Sequence, residues 1–318
     1  VEVGLGGRLD ATHAWDGGVA VVTNVDLDHM DRLGPTIAAI AREKAAIIER
    51  GDLAVTGAHG EALEIVRRRA RRMAAPLTEV RPAPLLGWDR DGLQVVLPRL
   101  GEVRVGLRGR HQAANVAVAD GLLDALEAAG IATVDADARR RGYANAVWPG
   151  RLELLALGAG REVLLDGAHN PAGAAALAGA LDDLRPFLAD GPLTLVLGMM
   201  ADKDVDGAID ALLTADSLRD ATVITTSVDA ARAMPAPELA ARWTARSAAL
   251  AAAPGSTRSP VAIETIADPI EALAVAMDRA GPTVVAGSLY LVGAIRAHLV
   301  DDPALRDPAP SPPSERDR

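Results

Sequence analysis

Glu162-Val163-Leu164-Leu165-Asp166-Gly167-Ala168-His169-Asn170-Pro171-Ala172-Gly173 is the stretch from which the fold can be read. Apolar residues suited to a buried strand run into a short polar turn, and Pro171 stands where a first helical position tolerates a ring without an N–H. The same strand, loop and helix rhythm recurs downstream. Strands are expected near Leu193 to Leu197, Thr222 to Thr226, Val261 to Ile263 and Thr283 to Ala286, with helices beginning near Ala172, Val205, Pro237 and Ile270 and a last one from Leu289 to Leu299. Strands alternating with helices in this way describe a doubly wound α/β domain.

Upstream, Trp148-Pro149-Gly150-Arg151 reads as a hinge, and before it the rhythm is again α/β. Gly18 to Thr23 and Asp52 to Thr56 read as strands, and Thr36 to Arg50 and Gly60 to Ala75 as helices, which implies a parallel sheet. Between Pro76 and Gly109, Pro and Gly punctuate short alternating runs, so a small antiparallel sheet or hairpin is expected, closed by a helix from about Arg110 to Ala129. Val1-Glu2-Val3 reads as the end of a buried strand, running into Gly4-Leu5-Gly6-Gly7. On that reading the start of the strand lies upstream of Val1. The expected division is residues 1–147, residues 148–300 and a disordered tail over 301–318, rich in Pro, Asp, Ser and Arg.

Composition narrows the function. The chain has 318 residues, 49% hydrophobic, enough to fill two cores. A formal charge of −10 and 2% aromatic content argue against nucleic acid, which requires basic patches and stacking platforms. No apolar run reaches the roughly 18 residues of a membrane span. Cys is absent, which excludes disulfides and thiolate metal sites and fits a cytoplasmic protein. Of 33 basic side chains only Lys44 and Lys203 are lysines. A chain so dominated by arginine keeps Lys where a deprotonated amine or a compact point charge is needed. The dense run Arg67-Arg68-Arg69 with Arg71-Arg72 reads as a solvated helix face.

The motifs matter most in their order: VEVGLGGRLDAT from Val1, TNVDLDHMDRLG from Thr23, IAREKAAII from Ile40, GRHQAANVAVA from Gly109, PGRLE from Pro149, LDGAHNPAG from Leu165, GMMADKD from Gly198, RAMP from Arg232 and GSLYLVG from Gly287. This series resembles the bifunctional dihydrofolate synthase and folylpolyglutamate synthase family, a branch of the ATP-dependent Mur ligases, over residues 1 to about 297. The resemblance implies a fold made of the remainder of a P-loop-type Mur ligase central domain, with a parallel sheet and a small antiparallel sheet, followed by a Rossmann-like C-terminal domain. It also implies a reaction: ATP activates a carboxylate of dihydropteroate or a folate as an acyl phosphate, and the amino group of L-glutamate attacks it.

The resemblance assigns residues. Glu2 and His29 match the family's Mg²⁺ ligands, a strand-end carboxylate being the more natural partner for that hard ion. Lys44 matches a lysine that reacts with CO₂ to form a carbamate, which arginine cannot do; the usual Gly at position 46 is Ala here. Leu9, Asp10 and Ala11 match the segment lining the dihydropteroate site, with His13 where relatives usually carry Asn. Asn115, Arg151 and Asp166 match the ATP contacts, suited in turn to an adenine edge, phosphate oxygens and a ribose hydroxyl. His169 and Ser288 match residues near the incoming glutamate. Lys203 stands on a loop suited to meeting a carboxylate or phosphate.

The phosphate-binding GTNGK[ST] segment of the superfamily does not occur in these 318 residues. In the family it lies upstream, so the expectation is an active full-length protein and a fragment without ligase activity on its own. A cell-wall Mur ligase, or a non-catalytic paralogue that binds nucleotide or a partner, are the competing readings. A monomer with small-molecule substrates, no nucleic-acid or membrane partner and a cytoplasmic location completes the expectation.

Overall fold

The computed structural model describes residues 1–301 except 159, 256, 258 and 260, so the tail expected over 301–318 lies outside the described residues apart from Asp301. In chain order the elements are β1 (Val19–Val22), α1 (Met30–Leu33), α2 (Ile37–Ala45), β2 (Leu53–Thr56), α3 (Gly60–Met73), β3 (Leu77–Glu79), β4 (Leu85–Asp89), β5 (Gly92–Leu97), β6 (Gly101–Val105), α4 (Gln112–Ala128) and α5 (Ala136–Ala144). After the Trp148 to Arg151 turn come β7 (Glu153–Ala156), β8 (Glu162–Leu165), α6 (Pro171–Leu184), β9 (Thr194–Leu197), α7 (Val205–Leu212), β10 (Thr222–Thr225), α8 (Ala236–Ala251), β11 (Ala262–Thr265), α9 (Pro269–Met277), β12 (Thr283–Ala286) and α10 (Leu289–Leu299).

The C-terminal sheet has the order β11-β10-β9-β12-β8-β7, parallel except for β7, which runs against β8. Every residue of β8, β9 and β12 is buried, as strands covered by helices on both faces must be. β12 returns from the β11 edge to lie between β8 and β9, parallel to both. The loops that leave the carboxyl ends of these three strands surround the crevice where open α/β sheets bind ligands.

The N-terminal half holds a parallel sheet β1-β2-β3 and an antiparallel sheet β4-β5-β6, the latter with a two-residue turn at Arg90-Asp91. Arg69 crosses from α3 to donate to the carbonyls of Ala46 (2.9 Å) and Ile48 (2.9 Å). These are carbonyls just past the end of α2, where a helix runs out of its own donors. Gly92 closes the β4–β5 hairpin at φ 140°, and a Cβ there would lie 2.0 Å from the Val105 carbonyl oxygen. Gly92→Ala is expected to cost about 1–3 kcal/mol, read as a lower urea midpoint with unchanged slope; an unshifted midpoint would refute the clash.

No hydrophobic cluster among the described residues contains residues from both sides of the Trp148 to Arg151 turn. The halves meet instead through polar contacts. Trp88 donates its indole N–H to the Asp183 carbonyl at 3.2 Å, and Arg110 both pairs with the Asp183 carboxylate and stacks over the Trp88 ring at 4.1 Å. Arg90 reaches Glu162 at 2.5 Å and the Phe187 carbonyl at 3.0 Å.

Two expectations are corrected. Val1-Glu2-Val3 is in no strand; Val1 is 88% exposed and the segment has no strand partner among the described residues, and an extended run becomes a strand only beside a hydrogen-bonding neighbour. β3 pairs parallel with β2, so the 76–109 segment is not wholly antiparallel. Three elements were not anticipated, α1, β7 and α5.

Candidate active site

The cavity that the two halves share has a volume of about 930 Å³. Its N-terminal wall is the loop after β1, Asp26 to Met30. Its C-terminal wall is built from the loops after β8 (His169, Asn170), β9 (Met200 to Asp204) and β12 (Ser288 to Tyr290). Local capping holds each loop. Asn170 accepts from Gly173 N–H at the start of α6 (2.8 Å), Asp204 from Gly207 N–H in α7 (2.9 Å), and Ser288 Oγ from Tyr290 N–H in α10 (3.1 Å). The strand-to-helix turns that generate the fold thus also aim the polar side chains.

Asp28 is the hub. Its Oδ1 accepts from Lys203 Nζ at 2.8 Å and from His29 N–H at 2.8 Å; its Oδ2 accepts from Asn170 Nδ2 at 2.9 Å and faces His169 Nε2 at 3.5 Å. Burial raises the carboxyl's pKa, but the His169, Lys203 and Asn170 donors outweigh it and hold Asp28 well below the usual carboxylate range. His169 moves the opposite way: the Asp28 hydrogen bond raises its pKa, against desolvation, and its Nδ1 lies 2.8 Å from the Gly167 carbonyl. A His whose folded pKa is raised contributes stability that is complete below the unfolded value of about 6.5 and lost as pH rises through the folded pKa. The melting temperature is therefore expected to fall as pH rises above about 6.5, with a component missing in His169→Gln; identical pH profiles for the two proteins would contradict this pairing.

Of the residues matched in the sequence, His29, His169 and Ser288 line this cavity. Asn115, Arg151 and Asp166 are not in its lining: Asn115 stands at the start of α4, and Arg151 and Asp166 lie together beside the Trp148 to Arg151 turn. Asn115 donates to Gln112 Oε1 at 2.9 Å, and Gln112 Nε2 lies 3.1 Å from His111 Nε2. Asp166 is buried and accepts from Leu152 N–H (2.9 Å) and Ala168 N–H (2.9 Å), while burial raises its pKa against those donors and the Arg151 charge. The N-terminal loop lies on α2. Gly6 and Gly7, at φ 72° and 150°, lie so close to Leu33 and Ile47 that a Cβ would fall within 2.8 Å and 2.6 Å of their methyls. Arg8 N–H donates to the Glu43 carbonyl at 3.1 Å, which sets this loop beside Lys44 in the last turn of α2.

Leu9 is 81% exposed, and Ala11 is exposed too. Asp10 turns inward. It accepts from the Thr12 hydroxyl (2.6 Å), Thr12 N–H (3.0 Å) and Leu5 N–H (3.0 Å), bonds that lower its pKa to about 2. Its carboxylate caps the short 3₁₀ turn Ala11–Ala14. His13, at the position of departure from the family, pairs with Glu49 at 3.1 Å.

For a metal, Glu2 and His29 offer one carboxylate and one imidazole, both exposed, and no group of three or more His, Asp or Glu gathers to hold an ion among the described residues. Mg²⁺ keeps several waters and takes one or two protein carboxylates with substrate phosphates, so the Glu2 carboxylate suits it better than the His29 imidazole does. Sequence reasoning did not assign Asp28, and left Lys203 without a role. The signal for both was indirect, in the scarcity of lysine and in the repeated acids of Asp26-Leu27-Asp28.

Comparison with known proteins identifies relatives of this chain. The family model for the dihydrofolate synthetase C-terminal domain matches residues 156–298. A dihydrofolate synthase/folylpolyglutamate synthase of Mycobacterium tuberculosis is 37% identical over 240 residues, which are 71% of this chain and 48% of that protein. The structure of Mycobacterium tuberculosis folylpolyglutamate synthase complexed with ADP and AMPPCP superposes with a TM-score of 0.76 at 33% identity, over 95% of this chain and 68% of that one. The Yersinia pestis bifunctional folylpolyglutamate synthase/dihydrofolate synthase complexed with AMPPNP and Mn ion gives 0.72 at 27% identity, over 94% and 65%. The chain spans about half the length of the curated bacterial relatives it matches. With its motif order, its sheet topology and these matches in agreement, the chain belongs to the dihydrofolate synthase/folylpolyglutamate synthase family of the Mur ligase superfamily.

Proposed function

We propose that the protein to which this chain belongs ligates L-glutamate to dihydropteroate, to folates or to both, with ATP as co-substrate and an acyl phosphate as intermediate. The observation that carries this reading is the shared cavity, where loops from both halves bring an ammonium, two imidazoles and an amide around one carboxylate. Such a ligation needs cations for the carboxylates of glutamate and a positioned group near its amine. In this reading His169, Lys203 and Ser288 receive glutamate. Asn115, Arg151 and Asp166 hold ATP, and Leu9 to Ala11 line the pteroate. Lys44 is the carbamate-forming lysine, and the domain boundary falls at the Trp148 to Arg151 turn.

Mg²⁺ is the cation this chemistry uses, to offset phosphate charge. Glu2 and His29 are the side chains of this chain that could contribute to it. Everything else follows from the chain's own donors: Lys203 supplies a fixed positive charge, and Asp28 and Asn170 hold the His169 and Lys203 side chains in place. The reading is tested with the complete protein by following ADP formation with pteroate and glutamate supplied singly and together. ADP release that requires both substrates is the expected result. Release that ignores glutamate would defeat it, and release driven by a UDP-linked muropeptide would move the protein to the cell-wall branch.

A further inference from the structure

The chain is poor in aromatics, with four Trp, two Tyr and one Phe in 318 residues. Two of the four indoles have work within the fold: Trp243 is fully buried on the inner face of α8, and Trp88 carries the Arg110 stack and the Asp183 hydrogen bond. Trp15 and Trp148 are both exposed, at 64% and 61%. Trp15 lies over its own loop at Gly17, where a Cβ would meet its ring at 2.8 Å. Trp148 stands instead in the turn that carries Arg151, and its ring makes no hydrogen bond or ring contact among the described residues. An indole left in water forgoes the burial that usually justifies so large an apolar side chain.

The backbone under it is firmly held. Arg151 N–H donates to the Trp148 carbonyl at 3.2 Å, closing a turn over Pro149 and Gly150. Gly150 sits at φ 70°, gives its N–H to Glu153 (2.8 Å) and accepts from Gly167 N–H (2.9 Å), and Glu153 is in turn clamped by Arg296 at 3.0 Å. The first and fourth residues of a β-turn have Cα atoms within about 7 Å of each other. The turn therefore presents a flat aromatic face and a guanidinium from neighbouring points on one rigid support. Arg151 acts electrostatically on the buried Asp166 at the end of β8, and a Cβ added at Gly167 would lie 2.9 Å from its Nη1.

A nucleotide needs this pairing, one group for the face of the base and one for its phosphates. We propose that Trp148 is the stacking platform for the purine ring of the nucleotide whose phosphates Arg151 meets, which makes it a specificity-determining residue for a nucleoside phosphate over a bare polyphosphate. The inference rests on the nucleotide reading of Asn115, Arg151 and Asp166 given above.

The test is calorimetric titration of ADP, and separately of inorganic tripolyphosphate, into the unsubstituted protein, Trp148→Ala and Trp148→Phe. Loss of a base stack weakens ADP binding roughly tenfold in Trp148→Ala, with most of the loss recovered in Trp148→Phe and tripolyphosphate binding unchanged in both. The exposed ring predicts unaltered melting temperatures for the variants. Equal ADP affinity in all three proteins overturns the proposal. So does an equal loss for ADP and tripolyphosphate, which would assign Trp148 to the shape of the turn. If ADP fails to bind the unsubstituted protein, the nucleotide reading beneath the proposal falls first and takes the proposal with it.

Discussion

Lys203→Ala in the complete protein is expected to lower kcat/KM for glutamate by roughly 10²–10³, the usual cost of removing a preorganised charged donor from a site. Two effects combine. The cavity loses the ammonium that a glutamate carboxylate would meet, and Asp28, held ionised partly by Lys203 at 2.8 Å, loses a principal donor. Lys203→Arg should restore little, since a planar fork on a longer stem does not reproduce a compact ammonium placed on one oxygen of Asp28. The check is steady-state kinetics with glutamate and ATP varied in turn. A loss confined to the glutamate parameters fits the reading, whereas less than threefold loss, or a loss confined to ATP, would remove Lys203 from the glutamate site.

Arg139→Leu is expected to cost about 3–5 kcal/mol of stability, the range for breaking a buried ion pair by removing one partner. Arg139 is 4% exposed and donates to Asp120 at 3.0 Å, to Asp124 at 2.6 Å and to the Val134 carbonyl at 3.0 Å, while the Tyr143 hydroxyl donates to Asp120 at 2.9 Å. Burial and Asp120 together push the Tyr143 phenol up. This network is what attaches α5 to α4. Replacing Asp120 and Arg139 together by Leu should be less costly than Arg139→Leu alone, because no buried carboxylate is then left short of its partner. Urea unfolding of the three proteins gives the comparison, and a double substitution worse than the single one would refute the account.

The legible parts of the sequence were those where one face or one period decides the outcome. β12 and α10 lie at the residues expected, because a buried parallel strand and a capped helix announce themselves locally. α5 escaped because Ala136-Asp137-Ala138-Arg139-Arg140-Arg141 looks solvated, and only the fold reveals that the buried residue of that helix is an arginine. β7 escaped because a four-residue strand after a turn is defined by its partner β8. His169 and Ser288 were singled out by the resemblance, and both line the cavity from strand-to-helix turns. Asp28 was not, since its partners lie 142 and 175 residues away in sequence and an acid in a polar loop carries no period. Asp10 was legible as a loop residue but not in its orientation, which Thr12 decides.

Among the described residues the halves share no apolar core, and this has a thermodynamic consequence. Cooperativity of unfolding is transmitted by buried apolar contact, and the ties across this boundary are ion pairs and a few hydrogen bonds. Such ties are screened by salt once the Debye length falls to about 3 Å at 1 M. A calorimetric scan is then expected to resolve two transitions, drawn further apart by salt, while a single sharp endotherm at every ionic strength would show the halves melting as one. On that expectation each half has its own melting point, and the contacts of Asp28 with Asn170 and Lys203 make the ligand cavity part of the coupling between them.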